Sequence, residues 1–92
     1  MSFSIEFTIE AEKDIQKLKK SGDKKALIKI DKLLNELREH PLTGTGKPEQ
    51  LKHYNIPTWS RRITEKHRLI YRIEENKIMV LVLSFWGHYG EK

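Results

Sequence analysis

Ninety-two residues suffice for one domain, able to fold alone around a core so thin that a binding partner would add substantially to its stability, and the chain reads as a single unit over 1–92. The hydrophobic fraction of 37% and charged fraction of 34% suit a globular protein; the apolar run IMVLVL is far too short to span a bilayer, and MSFSIEFTIE lacks the basic-then-apolar order of a signal peptide. With no cysteine there is neither a disulfide framework nor a thiolate metal site, so a cytoplasmic protein without membrane attachment is expected.

The first predicted element is a strand. FSIEFTI alternates, with Phe3, Ile5, Phe7 and Ile9 on one face and Ser4, Glu6 and Thr8 on the other. Residues 10–20 switch to helical spacing through Ala11, Ile15 and Leu18, and Gly22 follows as a stop. Asp23 opens a longer helix whose stripe is Ala26, Leu27, Ile30, Leu33, Leu34 and Leu37; it ends at His40-Pro41, because the residue before proline disfavours helical geometry. PLTGTGKPEQ is a loop. A short segment near 50–53 follows, then strands near 59–64, 67–73 and 77–85, with TEK and EENK as hairpin turns. This order predicts an α+β fold: an N-terminal strand, then a helical hairpin packed on one face of a mainly antiparallel sheet of about four to five strands.

Net charge is +5, and it is uneven: residues 46–72 hold seven basic against two acidic side chains, whereas 10–39 hold nine against seven. A basic sheet face steers a protein toward polyanions, although the same charge would also serve as a solubilising surface. Alternation places Leu69, Tyr71 and Ile73 toward the helices and Arg68, Ile70 and Arg72 on the other side. The last strand is apolar on both faces, as expected of a central strand covered by helices on one side and by a partner or ligand on the other.

The histidines at 40, 53, 67 and 88 show no helical metal spacing, GTGKPEQ lacks the Walker pattern, and Ser60 and Ser84 have no nucleophile-elbow context. No metal and no cofactor are therefore expected. What remains is Glu49, Lys52, Arg61, Arg62, Arg68, His88 and Tyr89. Cleaving RNA without a metal requires a base for the 2′-hydroxyl proton, cations for the charge growing on phosphorus, and an acid for the departing 5′-oxygen. This set can supply all three, yet each member has an ordinary reading. Glu49 could be a surface carboxylate, Lys52 and Arg62 solubilising cations, Arg68 a partner of Glu65 or Glu74, His88 a frayed terminal residue and Tyr89 a core residue. Trp59 and Trp86 read as packing residues, and His53 and His67 as hydrogen-bonding ones.

GKPEQLKH, WSRRITEKHRLIY and the late GHY, in that order, resemble the YoeB/Txe branch of the RelE/ParE toxin superfamily, bacterial endoribonucleases of type II toxin-antitoxin systems that cleave messenger RNA in the ribosomal A site. The likeness runs from about Pro41 to Tyr89, with a similar helical hairpin upstream. It implies a RelE-like fold, Glu49 as general base, Arg68 as transition-state stabiliser and His88 as general acid. It also implies Lys52 and Arg62 as phosphate contacts, Tyr89 as the residue that positions RNA by stacking, and Arg61 as a weaker substrate contact. The implied partners are a cognate acidic antitoxin of the YefM/Phd kind, the ribosome and its A-site mRNA, operator DNA reached only through the antitoxin, and a second copy in a homodimer. The alternative is a noncatalytic toxin of the same fold that targets DNA gyrase, or a nucleic-acid-binding module. The chain departs from the family's pattern at Pro57, where relatives often carry a small flexible residue, and in continuing beyond Tyr89.

Overall fold

The computed structural model describes residues 2–44, 46, 48–52, 54–77 and 79–85. It begins with β1, Ser4–Phe7. The strand expected to run through Ile9 stops earlier because Thr8 is better used as a helix cap. Its hydroxyl accepts from the Ala11 amide at 3.1 Å and donates to the Leu83 carbonyl at 2.8 Å, tying the start of α1, Ile9–Ser21, to the last strand. Ile9 thus joins the helix and lies 73% exposed rather than in the core.

Gly22 closes α1 in the left-handed conformation at φ 75°, which an L side chain would resist. Asp23 caps α2, Lys24–Glu39, by accepting from the Ala26 amide at 3.1 Å. Both helices bury the stripes foreseen from spacing: Ala11 and Leu18 from α1, and Ala26, Ile30, Leu33 and Leu37 from α2. Ile15, Leu27 and Leu34 pack at the margin.

Four more strands follow: β2 at Glu49–Leu51, β3 at Thr58–Arg62, β4 at Arg68–Glu74 and β5 at Met79–Ser84. Their spatial order is β1-β5-β4-β3-β2, antiparallel throughout except for the parallel β1–β5 pair. EENK, expected as a hairpin turn, forms a short 3₁₀ turn over Glu75–Lys77. Leu69, Tyr71, Val80, Val82 and Phe85 meet the helices, with Ile73, Ile5 and Phe3 at the edge of that cluster. β5, expected as the central strand, lies between β1 and β4, so that it is interior but the centre of the sheet is β4. Among the described residues no helix is long and apolar enough to cross a membrane.

Directly paired residues of adjacent strands share a face, so register fixes what lies opposite the helices. One row there reads Glu49–Ser60–Ile70–Ser84; the next, toward the ends of β3 and β4, pairs Arg62 with Arg68; a third reads Leu51–Thr58–Arg72–Leu81. A bulge between Ile70 and Tyr71 adjusts the β4–β5 register.

Candidate active site

Sheet pairing brings together two residues that lie nineteen positions apart in sequence. Glu49 opens the edge strand β2, and Arg68 opens the central strand β4; across the intervening β3 the carboxylate Oε1 lies 3.8 Å from guanidinium Nη1. Arg68 is largely enclosed, with 16% of its side chain accessible, while Glu49 remains 67% accessible. An exposed contact of this length adds little to stability. It does place an anionic proton acceptor beside a cation at an accessible surface. Among the described residues the carboxylate found beside Arg68 is Glu49, where the ordinary reading offered Glu65 or Glu74.

Arg62 is exposed and directly opposite Arg68 in the β3–β4 register. Like charges facing one another across strands oppose folding, so this row suits an anion better than it suits the free protein. Lys52, exposed immediately after β2, adds a further cation near Glu49 in the chain. The same face holds Ser60 Oγ, Ser84 Oγ and Arg72 Nε, all buried without a hydrogen-bond partner among the described residues. Each such group lowers stability until something completes it.

Arg61 lies elsewhere. Alternation within β3 turns it to the helical side, opposite Leu69, where it is fully buried. There Nη1 donates to Glu36 Oε1 at 3.0 Å, Nη2 to the carbonyls of His40 and Thr43, and Nε to the Tyr71 hydroxyl at 3.3 Å. Tyr71 in turn donates to the Pro41 carbonyl at 2.7 Å. Burial pushes the Tyr71 hydroxyl above its ordinary value of 10.0, with the hydrogen bond and charge of Arg61 opposing that rise. Arg61 is therefore a buried structural cation, and the expectation that it touches substrate is corrected: a guanidinium held by Glu36 and two carbonyls on the far side of the sheet does not face the Glu49–Arg68 row.

His88 and Tyr89, expected as acid and positioning aromatic, lie outside the described residues, as do His53 and Trp86. The last described residue before them is anchored: the Phe85 amide donates to the buried Asp14 carboxylate at 3.0 Å, and its ring lies 5.9 Å from that of Phe7. Asp14, buried on α1, was not singled out from the sequence. Trp59 sits half-buried against the core, in keeping with a packing role.

A sheet whose edge sets an exposed carboxylate beside an arginine, backed on its other face by a two-helix layer, defines a small α+β protein of RelE-like fold. The family model describing a YoeB-like toxin of bacterial type II toxin-antitoxin systems matches residues 7–89, and the chain belongs to that family. Toxin YoeB of Escherichia coli strain K12 is 42% identical over 67 residues, which is 73% of this chain and 77% of the relative. A solved YoeB/ParE toxin from Agrobacterium tumefaciens superposes with a TM-score of 0.86 at 31% identity, covering 95% of this chain and all of the other. The Staphylococcus aureus YoeB dimer gives 0.79 at 37% identity, and the YoeB–YefM complex from the same organism 0.76 at 35%; each covers 95% of this chain and 98% of the other.

Proposed function

We propose that this toxin is a ribosome-dependent messenger RNA endonuclease that cuts in the A site and thereby stops translation. The observation that carries the reading is the 3.8 Å approach of Glu49 to Arg68 on the face where Arg62 opposes Arg68. In this mechanism Glu49 takes the proton of a 2′-hydroxyl, and the 2′-oxygen attacks the adjacent phosphorus in line. The bond from phosphorus to the 5′-oxygen breaks. His88 protonates the departing oxygen, leaving a 2′,3′-cyclic phosphate and a 5′-hydroxyl. Arg68 stabilises the charge gathering on the phosphoryl oxygens, Lys52 and Arg62 hold flanking phosphates, and Tyr89 stacks on a base. No metal or cofactor takes part in these steps; the ribosome contributes by holding the codon in a reactive pose.

The partner that restrains this activity is an acidic antitoxin that covers the basic face, completing the thin core while neutralising the opposed arginines. The solved Staphylococcus aureus complex pairs a relative with YefM, and the solved dimer supports a homodimer here. Operator DNA is reached through the antitoxin, and the complex works in the cytoplasm. Mapping 5′ ends of translated RNA after brief expression tests the reading. New breaks inside codons support it; intact transcripts with broken chromosomes would instead mark a gyrase-directed toxin.

A further inference from the structure

We infer that Arg61 is a positioning residue for Glu49, acting from the opposite side of the sheet through the loop that delivers Glu49 to the site. The inference rests on Glu49 serving as the base. β2 is only three residues long and, among the described residues, lies at the sheet edge and pairs with β3 alone, so its ladder holds Glu49 weakly. The chain reaches it from the end of α2 through residues 40–48. That path is fastened to β3 and β4 at successive carbonyls: His40 and Thr43 accept from Arg61 Nη2, Pro41 accepts from the Tyr71 hydroxyl, and Gly46 accepts from the Arg62 amide at 2.8 Å.

The fastening leaves little slack. Gly44 and Gly46 adopt φ values of 117° and 87°. A Cβ on Gly44 would lie 2.5 Å from Glu36 Oε1 and 3.0 Å from Arg61 Nη1; one on Gly46 would lie 3.0 Å from the Arg62 carbonyl oxygen and 3.3 Å from Arg61 Cβ. The loop is therefore laid directly over the buried Arg61–Glu36 pair. A fork with several donors in fixed geometry can hold two carbonyls, a carboxylate and a phenol together, which a single ammonium does not reproduce. Because reaction rates fall steeply with ångström-scale misplacement, an anchor of this kind governs catalysis without touching RNA.

Arg61→Lys and Tyr71→Phe test this, both chosen because Arg61→Ala risks unfolding. Leu18→Ala, a core truncation in α1, is the control for general loss of stability. Single-turnover cleavage of mRNA on programmed ribosomes, at saturating toxin, should slow about 10²-fold in Arg61→Lys and about tenfold in Tyr71→Phe, with half-saturating concentration within about twofold of wild type. Leu18→Ala should cut at the wild-type saturated rate. Amide hydrogen exchange of Glu49–Leu51 in the free protein should accelerate at least about tenfold in both test variants while Leu69–Ile73 keeps its protection. Wild-type saturated rates in both test variants, equal slowing in Leu18→Ala, or unchanged exchange at Glu49–Leu51 would each overturn the inference. If wild-type protein cuts no ribosomal mRNA, the endonuclease reading fails, and the exchange arm still decides whether Arg61 holds β2.

Discussion

The Glu49 carboxylate and the Arg68 guanidinium stand 3.8 Å apart across an intervening strand, neither contributed by the helices that supply half of the buried core. If Glu49 takes the 2′-hydroxyl proton, Glu49→Gln keeps the shape and removes the base. Cleavage of translated RNA should fall about 10²- to 10⁴-fold, with the thermal midpoint unchanged because the contact is solvent-exposed. Arg68→Ala should lose about 10²- to 10³-fold. Single-turnover kinetics alongside a melting curve checks both, and full activity in either variant would remove that residue from the mechanism.

The opposed Arg62–Arg68 pair gives a binding prediction. Arg62→Ala removes a like-charge contact from the free protein and, if the proposed role of Arg62 holds, a phosphate contact from the complex. The free toxin should be as stable as wild type or more so, while affinity for a short RNA falls and the slope of log affinity against log salt shrinks by about 1. An unaltered salt slope would show that Arg62 meets no phosphate.

The buried pair beneath the sheet predicts a stability effect. Glu36→Ala would leave the fully buried Arg61 without its carboxylate partner, and breaking a buried pair from one side costs roughly 3–5 kcal/mol. Urea unfolding should show a loss near the lower end of that range, since Glu36 keeps 23% of its side-chain surface accessible and Arg61 retains its carbonyl acceptors. A loss below about 1 kcal/mol, the size expected of a surface pair, would contradict the assignment.

Tyr71 predicts the alkaline limb of stability. Its hydroxyl titrates above 10.0 when folded, so the unfolded chain loses that proton first. The stabilisation is thus fully present below about pH 10 and is lost as pH rises through the unfolded toward the folded value. Urea midpoints measured from pH 8 to 11 should drop more steeply for wild type than for Tyr71→Phe. Parallel curves would mean that this phenol does not titrate differently on folding.

Much of the architecture was readable in one dimension because local rules dominate there. Apolar spacing, Gly22, Asp23 and His40-Pro41 fix two helices whose ends fall within a residue of expectation. Period-two alternation in LIYRI correctly separates the helix-packed face from the opposite one. Thr8 defeated the same rule at the first strand, since its hydroxyl satisfies the helix terminus and the Leu83 carbonyl at once, and alternation carries no information about such a distant acceptor. Arg61 was misjudged for a related reason. Its expected role as a weaker substrate contact came from the family resemblance, whereas its alternation with Trp59 and Ile63, the first half-buried and the second buried, points inward.

Element order, the amphipathic faces and the motifs that tie this chain to the YoeB-like toxins are written in residue types at short fixed separations. Which charges meet is settled by three-dimensional packing. Glu49 comes to face Arg68, and Arg61 finds Glu36 and the loop carbonyls, because strand register and helix docking set distances between residues eighteen to twenty-five positions apart. Electrostatic contact and burial depend on those distances, which no local pattern encodes.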